Sequence, residues 1–334
     1  MRWRFSGETW GRIGLVGLVW LAFATTDENY RTFGNLFAVM EGFALTGLVA
    51  LGVGVTMLAG ELDLSVASVA ALAGIVAVTL VEKIGLIPAM LITGLIFAGF
   101  GALQGYLIAR TRINSLVFTI GMLIALRGLT HWVSGSQAVI MSFESFDISD
   151  ALATRLGIFS PFSLLTLTAM ALVGFILAYT RLGRGIYASG GNRQAARAAG
   201  VNVERSLVAA FVLSSICAAI GGGLASIKTG SASPIAFDGL LLSAVTAALV
   251  GGISLYGGRG NVFGIALGTL ILRLLAAGFS SRGAPTYIEN VATGILLTLV
   301  LCLEYLVEGG ALSRWRERRH AHPIGRAADR SPLR

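Results

Sequence analysis

An all-α polytopic membrane protein, with about ten transmembrane helices and both termini in the cytoplasm, is the fold class this sequence predicts. Three observations carry it. Hydrophobic residues fill 55% of the 334 positions and charged residues only 13%, against about 25% charged in an ordinary soluble domain. The mean hydropathy of +0.80 excludes a soluble enzyme built on one apolar core. Apolar runs near the ~20 residues that cross a hydrocarbon core recur along the chain, and many of its 44 glycines sit inside them, as close helix packing in lipid requires.

The runs, taken in order, cover 13–26, 39–59, 66–81, 86–109, 115–133, 161–180, 206–226, 239–257, 261–279 and 287–306. The first has a basic start and small residues Ala22 and Ala24 near its end, as a signal peptide does, but it reads better as an uncleaved helix. Cleavage would leave nine spans and move the amino terminus outside. The fourth run carries Gly101 and Gly105; Gly260, Gly264 and Gly268 form a tandem four-residue repeat at the ninth. Packing within the chain is the favoured reading of both, and a dimer seam the other.

Orientation follows from Arg and Lys, which stay on the cytoplasmic side. With the amino terminus inside, eighteen basic residues fall in cytoplasmic segments and five outside, while acids favour the outer loops. The net charge of +8 therefore describes a membrane orientation, not a nucleic-acid partner. Residues 1–312 form the transmembrane domain, and 313–334 a basic cytoplasmic tail expected to be disordered. The chain is therefore expected to span a membrane that borders the cytoplasm.

No catalytic or metal-binding constellation is visible. Neither lysine, Lys83 or Lys228, follows a glycine as a P-loop demands. His131, at a span end, and the tail's His320 and His322 form no metal cluster, and Cys217 and Cys302 lie in apolar stretches that suit neither a disulfide nor a metal.

Four polar features interrupt the apolar pattern. GELDLS at 60–65 joins the second and third spans. A carboxylate at the bilayer centre costs about 2.5–3.5 kcal/mol, so Glu61 and Asp63 belong at an interface or a wet cavity. Asp63 and Ser65 also suit helix N-caps, and a capped turn is the plainer reading beside a translocation path. The longest internal cytoplasmic segment, 183–206, holds NRQAARAAG, a short helix capped by Asn192 and ended by Gly200. Outside the membrane it has no core to enter, so a protein-docking surface is preferred to a lipid-headgroup clamp. The glycine-dense 250–264 stretch reads as a tight cytoplasmic turn, and Glu41, Arg127, Arg273 and Glu304 are isolated charges within spans whose partners the sequence does not assign.

GELDLSVASV at 60–69, FTIGMLIALRGL at 118–129, GRGIYASGGNRQAARAAGVNV at 183–203 and ALVGGISLYGGRGNVFG at 248–264 together resemble the permease subunits of ATP-binding-cassette importers for monosaccharides, of the ribose, arabinose and xylose type. The similarity covers about 40–305. It implies a pairing with a second permease, identical or a sister chain. It also implies a cytoplasmic ATPase that carries the ATP and Mg²⁺, none being expected in this chain, and an extracytoplasmic sugar-binding protein. Segments near 134–160, 227–238 and 280–286 are the expected outer surface for that protein.

The resemblance assigns coupling to the ATPase to Gly191, Asn192, Arg193, Ala196, Arg197 and Gly200, and leaves Glu61, Asp63, Ser65 and Arg127 as translocation-path candidates. Two departures stand out: Glu61 and Leu62 occupy positions where relatives usually have a second glycine and isoleucine, and Asn114 and Ser115 stand where many have a proline. A different helix cap is the preferred account, and an unusual substrate such as a methylpentose or polyol the other. An ion-coupled secondary carrier using Glu61 or Asp63 is the alternative function; an intramembrane enzyme would need a nucleophile and base within the spans, and neither is visible. The sugar is not legible.

Overall fold

A computed structural model describes residues 7–308; the expected tail at 313–334 lies outside the described residues. The helices are α1 (Gly7–Ala24), α2 (Phe33–Leu58), α3 (Val66–Ile84), α4 (Leu86–Thr111), α5 (Ser115–Val133), α6 (Phe146–Ala153), α7 (Pro161–Tyr179), α8 (Arg181–Gly191), α9 (Arg193–Ala198), α10 (Val203–Lys228), α11 (Leu240–Val250), α12 (Val262–Ser281) and α13 (Thr286–Glu308). Eight of them, namely α2, α3, α4, α5, α7, α10, α12 and α13, are long and apolar enough to cross a membrane.

The helices at two of the expected ten spans fall short of that length. The apolar part of α1 is Thr9–Ala24, and the run expected at 239–257 forms a helix only over Leu240–Val250. Eleven residues rise about 16 Å, roughly half of a 30 Å hydrocarbon core. The stop is conformational. Gly252 takes φ +81°, its N–H bonds to Leu249 O, and the N–H of Ile253 bonds to Ala248 O, which is a Schellman end. Ile253 and Leu255 kept the segment apolar enough to look like more span.

Helix α10 is the centre of the bundle and packs on α2, α3 and α4. From Phe43 to Leu58 nearly every residue of α2 is buried, whereas α5 and α13 lie at the periphery. Lipid removes the hydrophobic drive between helices, so close backbone approach has to supply the contact. A methyl group on Gly105 would sit 2.8 Å from Val208 Cα, and one on Gly268 only 2.1 Å from Ala247 O. These glycines pack α4 on α10 and α12 on α11 inside the chain. Gly260, by contrast, precedes α12 and belongs to the loop, so the expected tandem repeat has two helical members.

The connections divide between two ends. One end gathers the α2–α3, α4–α5, α7–α10 and α11–α12 connections. The other gathers the long 134–160 stretch, with α6, and the 229–239 segment; there β1 (Val139–Ile140) pairs antiparallel with β2 (Ser231–Ala232). Asn114 caps α5 through the N–H groups of Leu116 and Val117, as the sequence suggested.

Candidate functional site

The first end is built around three glycine-bearing backbones. Helix α2 closes in a second Schellman end, with Gly60 at φ +76° and the N–H of Glu61 bonded to Thr56 O. This turns the chain into a non-helical elbow, 60–65, before α3. The α8–α9 junction and the 251–261 loop pack directly on that elbow. Gly258 donates its N–H to Leu58 O at 2.9 Å. A methyl on Gly190 would lie 2.0 Å from Leu58 O, and one on Gly257 2.7 Å from Gly60 Cα. Only glycine fits at such separations.

Helix α9 sits on this hub. Asn192 caps it by accepting from the N–H groups of Gln194 and Ala195, and Gly200 at φ +79° ends it. The cap and the stop fall where the sequence put them. Ala196 is buried against the bundle, Arg193 is half-buried, and Gln194, Ala195, Arg197 and Ala198 are exposed. Gly191 and Asn192 are also exposed.

Arg193 turns back toward the elbow. Its Nη2 donates to Glu61 Oε1 at 2.5 Å and to Gly60 O at 3.2 Å. Glu61 is only 8% exposed. The extra carboxylate of the GELDLS segment is therefore paired with the short helix, a link across 132 positions that the sequence does not advertise.

Asp63 is fully buried at the centre of the elbow. Its Oδ1 accepts the N–H of Ser65 at 3.0 Å, the Ser65 hydroxyl at 2.6 Å and Gln104 Nε2 at 3.1 Å; its Oδ2 accepts the Ser214 hydroxyl at 2.8 Å. Burial pushes the carboxyl above its usual range, against the opposing pull of the hydrogen bonds from Ser65, Ser214 and Gln104. Ser65 occupies the N-cap position of α3 but makes no side-chain cap, because its hydroxyl is given to Asp63. Helix α5 grips the same elbow: Ser115 and Thr119 hydroxyls accept the N–H groups of Leu62 and Leu64, and Thr119 donates to Leu62 O. Gln104 and Ser214 were not singled out in the sequence, although a lone amide inside an apolar run is the signal that finds Gln104.

Arg127 lies apart from this cluster, toward the other end of α5. It pairs with Asp238, just before α11, at 2.5 Å, with side chains 45% and 50% exposed. The pair lines a cleft of about 50 Å³ with Ser68, Leu123, Pro234 and Phe237, room for a few waters. The other charges within spans also find partners. Lys228 pairs with Glu41, which also accepts from Ser160; Arg273 pairs with Glu289 at 3.7 Å; and Glu304 accepts from Ser254 and Leu255 N–H in the 251–261 loop. No His, Cys, Asp and Glu group suited to a metal occurs among the described residues, and both cysteines are free.

Comparison with known proteins meets this geometry. The family described as "Branched-chain amino acid transport system / permease component" matches residues 35–301, which include the elbow, α9 and the Arg127–Asp238 pair. The ribose import permease protein RbsC of Escherichia coli (strain K12) is 30% identical over 285 residues, covering 84% of this chain and 88% of that protein. The L-arabinose ABC transporter permease protein AraH of Azospirillum brasilense is 33% identical over 311 residues, 90% of this chain and 91% of its own. The D-allose transport system permease protein AlsC of Escherichia coli (strain K12) is 29% identical over 304 residues. No solved structure matches. A multi-pass helical bundle matched by the family over most of its length, with sugar permeases as relatives, belongs to the transport-system permease family and is a permease of the ABC importer type.

Proposed function

We propose that this chain is the membrane subunit of an importer that moves a monosaccharide or related small polyhydroxy compound across the bacterial cytoplasmic membrane. A separate ATPase, which carries ATP and Mg²⁺, powers it from the cytoplasm, an extracytoplasmic binding protein feeds it, and a second permease copy or sister chain completes the pathway. The observation that carries this reading is α9: a helix capped at both ends, outside the spans, anchored to the bundle on one face and exposed along the other. Such a helix offers a docking face at the exposed Gly191, Asn192, Arg197 and Gly200, joined to the spans through Ala196 and Arg193.

The distribution of Arg and Lys supports a cytoplasmic position for the α9 end. With α1 and α11 counted beside the eight long helices, both termini fall on that side. At the opposite end, Arg127 lies six residues, about 9 Å, inside the end of α5 and is half exposed. Hydrocarbon disfavours a charged side chain there by about 2.5–3.5 kcal/mol at the centre of a helix. That face of α5 therefore meets water or protein, which supports Arg127 as a residue of the path; Asp63 and Ser65, being buried, would act on the path through the elbow.

The reading is tested in proteoliposomes. Uptake of a sugar is expected only with the permease, an ATPase subunit and a loaded binding protein together, and Arg197→Glu is expected to reduce ATPase retention during co-purification. Uptake by the permease alone, abolished by an uncoupler, would establish the ion-coupled carrier instead.

A further inference from the structure

We infer that Glu61 and Arg193 form a latch that carries movement of α9 into the α2–α3 elbow, making Arg193 a positioning residue within the permease. The inference rests on the reading of α9 as the ATPase-docking helix. Sequence alone treats Arg193 and Arg197 alike, four residues apart on one short helix. The structure separates them. Arg197 is exposed, whereas Arg193 reaches back to the nearly buried Glu61 and to Gly60 O.

A six-residue helix has little surface with which to pull on a bundle. Only Ala196 is buried on it, and an alanine methyl transmits a push but no pull. The guanidinium supplies the second direction, because two charge-assisted or backbone hydrogen bonds resist separation. What the latch grips is well connected. The elbow is tied to α5 by Ser115 and Thr119, to α4 by Gln104 and to α10 by Ser214, the last two through Asp63. Displacing Glu61 therefore loads α4, α5 and α10 together with α2 and α3, which the elbow joins.

The backbone contacts of Gly190 with Leu58 and Gly258 keep the α8–α9 junction in place, so the latch is dispensable for folding. The carboxylate at position 61 also gains a purpose beyond a helix cap.

The test compares Glu61→Gln, Arg193→Gln and the exchange Glu61→Arg with Arg193→Glu, each in complex with a co-expressed candidate ATPase subunit in proteoliposomes. The readouts are ATPase retention and sugar transported per ATP hydrolysed. Each single glutamine variant is expected to keep the ATPase bound while transport per ATP falls at least about tenfold, which corresponds to 1.4 kcal/mol of coupling. The exchange is expected to recover at least a third of the wild-type ratio. Ratios within twofold of wild type in the singles, or an exchange no better than either single, would overturn the latch. Failure of both glutamine variants to yield folded permease would overturn it too, since folding is assigned to the glycine contacts. A wild-type chain that retains no ATPase defeats the docking reading and the latch with it, a result distinct from normal coupling in an intact complex.

Discussion

The two ends of the bundle are joined by different kinds of contact. At the α9 end, backbone meets backbone beside one part-buried ion pair, Glu61–Arg193: Gly190 lies against Leu58 and Gly258, Gly257 against Gly60, and the Gly258 N–H bonds to Leu58 O. At the other end, the spans are held by long side chains, in the pairs Lys228–Glu41, Arg273–Glu289 and Arg127–Asp238, and by a two-residue strand pairing. Close glycine contacts cannot shorten without moving whole helices, and the Glu61–Arg193 pair resists their separation. The Arg127–Asp238 pair, half exposed on both sides, can open and re-form with little backbone displacement. The first end is suited to passing on a motion, the second to yielding to it.

The largest expected effect tests the first half of that contrast. Gly190→Ala places a methyl 2.0 Å from Leu58 O and 2.7 Å from Gly258 N. Neither neighbour is a side chain that can swing aside, so the loss should reach the upper part of the overpacking range, about 3 kcal/mol. Gly191→Ala is the paired comparison. Its methyl meets nothing within 4 Å, and a surface change of that kind should stay within about 0.5 kcal/mol. Thermal unfolding in detergent reads both; equal shifts for the two would show that the hub is not close-packed.

Asp63 gives the next effect. Asp63→Ala leaves donors on Ser65, Gln104 and Ser214 without their acceptor, an expected loss of about 2–3 kcal/mol. The pH dependence follows from burial, which raises the carboxyl above its ordinary 3.8. Between that value and the raised one, the folded chain keeps a proton that the unfolded chain has lost. Stability from Asp63 is therefore full below 3.8 and falls as pH rises through the raised value. Asp63→Asn removes the titration, so its stability relative to wild type should improve with pH across that window. A flat difference between the two chains would place the carboxylate in a wetter site than the elbow provides.

How much of this was legible depends on the range of the interaction. Spans follow from local hydropathy, and the limits at 115–133 coincide with α5. Caps are equally local: Asn114 and Asn192 declare themselves two or three residues from the N–H groups they accept. The 239–257 run failed because hydropathy counts Ile253 and Leu255 as membrane-compatible and is blind to the positive φ of Gly252 and Gly257. The pairings failed for a different reason. Glu61 meets Arg193, and Asp63 meets Ser214, across 132 and 151 positions; periodicity fixes which face of a helix is apolar but not which helix lies beside it. Arg127 stands as an isolated charge in the sequence because its partner, Asp238, lies in a loop 111 positions away.

That last pair tests the yielding end, and its effect should be the smallest in stability. With both side chains about half exposed, Arg127–Asp238 belongs with ion pairs worth about 0–1 kcal/mol. Arg127→Ala and Asp238→Ala should each leave the unfolding temperature almost unchanged. If the pair holds α5 to the segment before α11 in the closed cleft, losing it can bias opening by no more than its own energy. A shift of ~1 kcal/mol changes a two-state ratio about fivefold. ATP hydrolysis by the assembled complex without binding protein is therefore expected to rise by up to that factor, equally in both single variants and no further in the double. Equal effects with no added effect in the double variant identify one shared contact. Additive effects, or a marked loss of stability in either single, would mean that the two residues serve separate structural purposes and that this end is as rigidly built as the glycine hub.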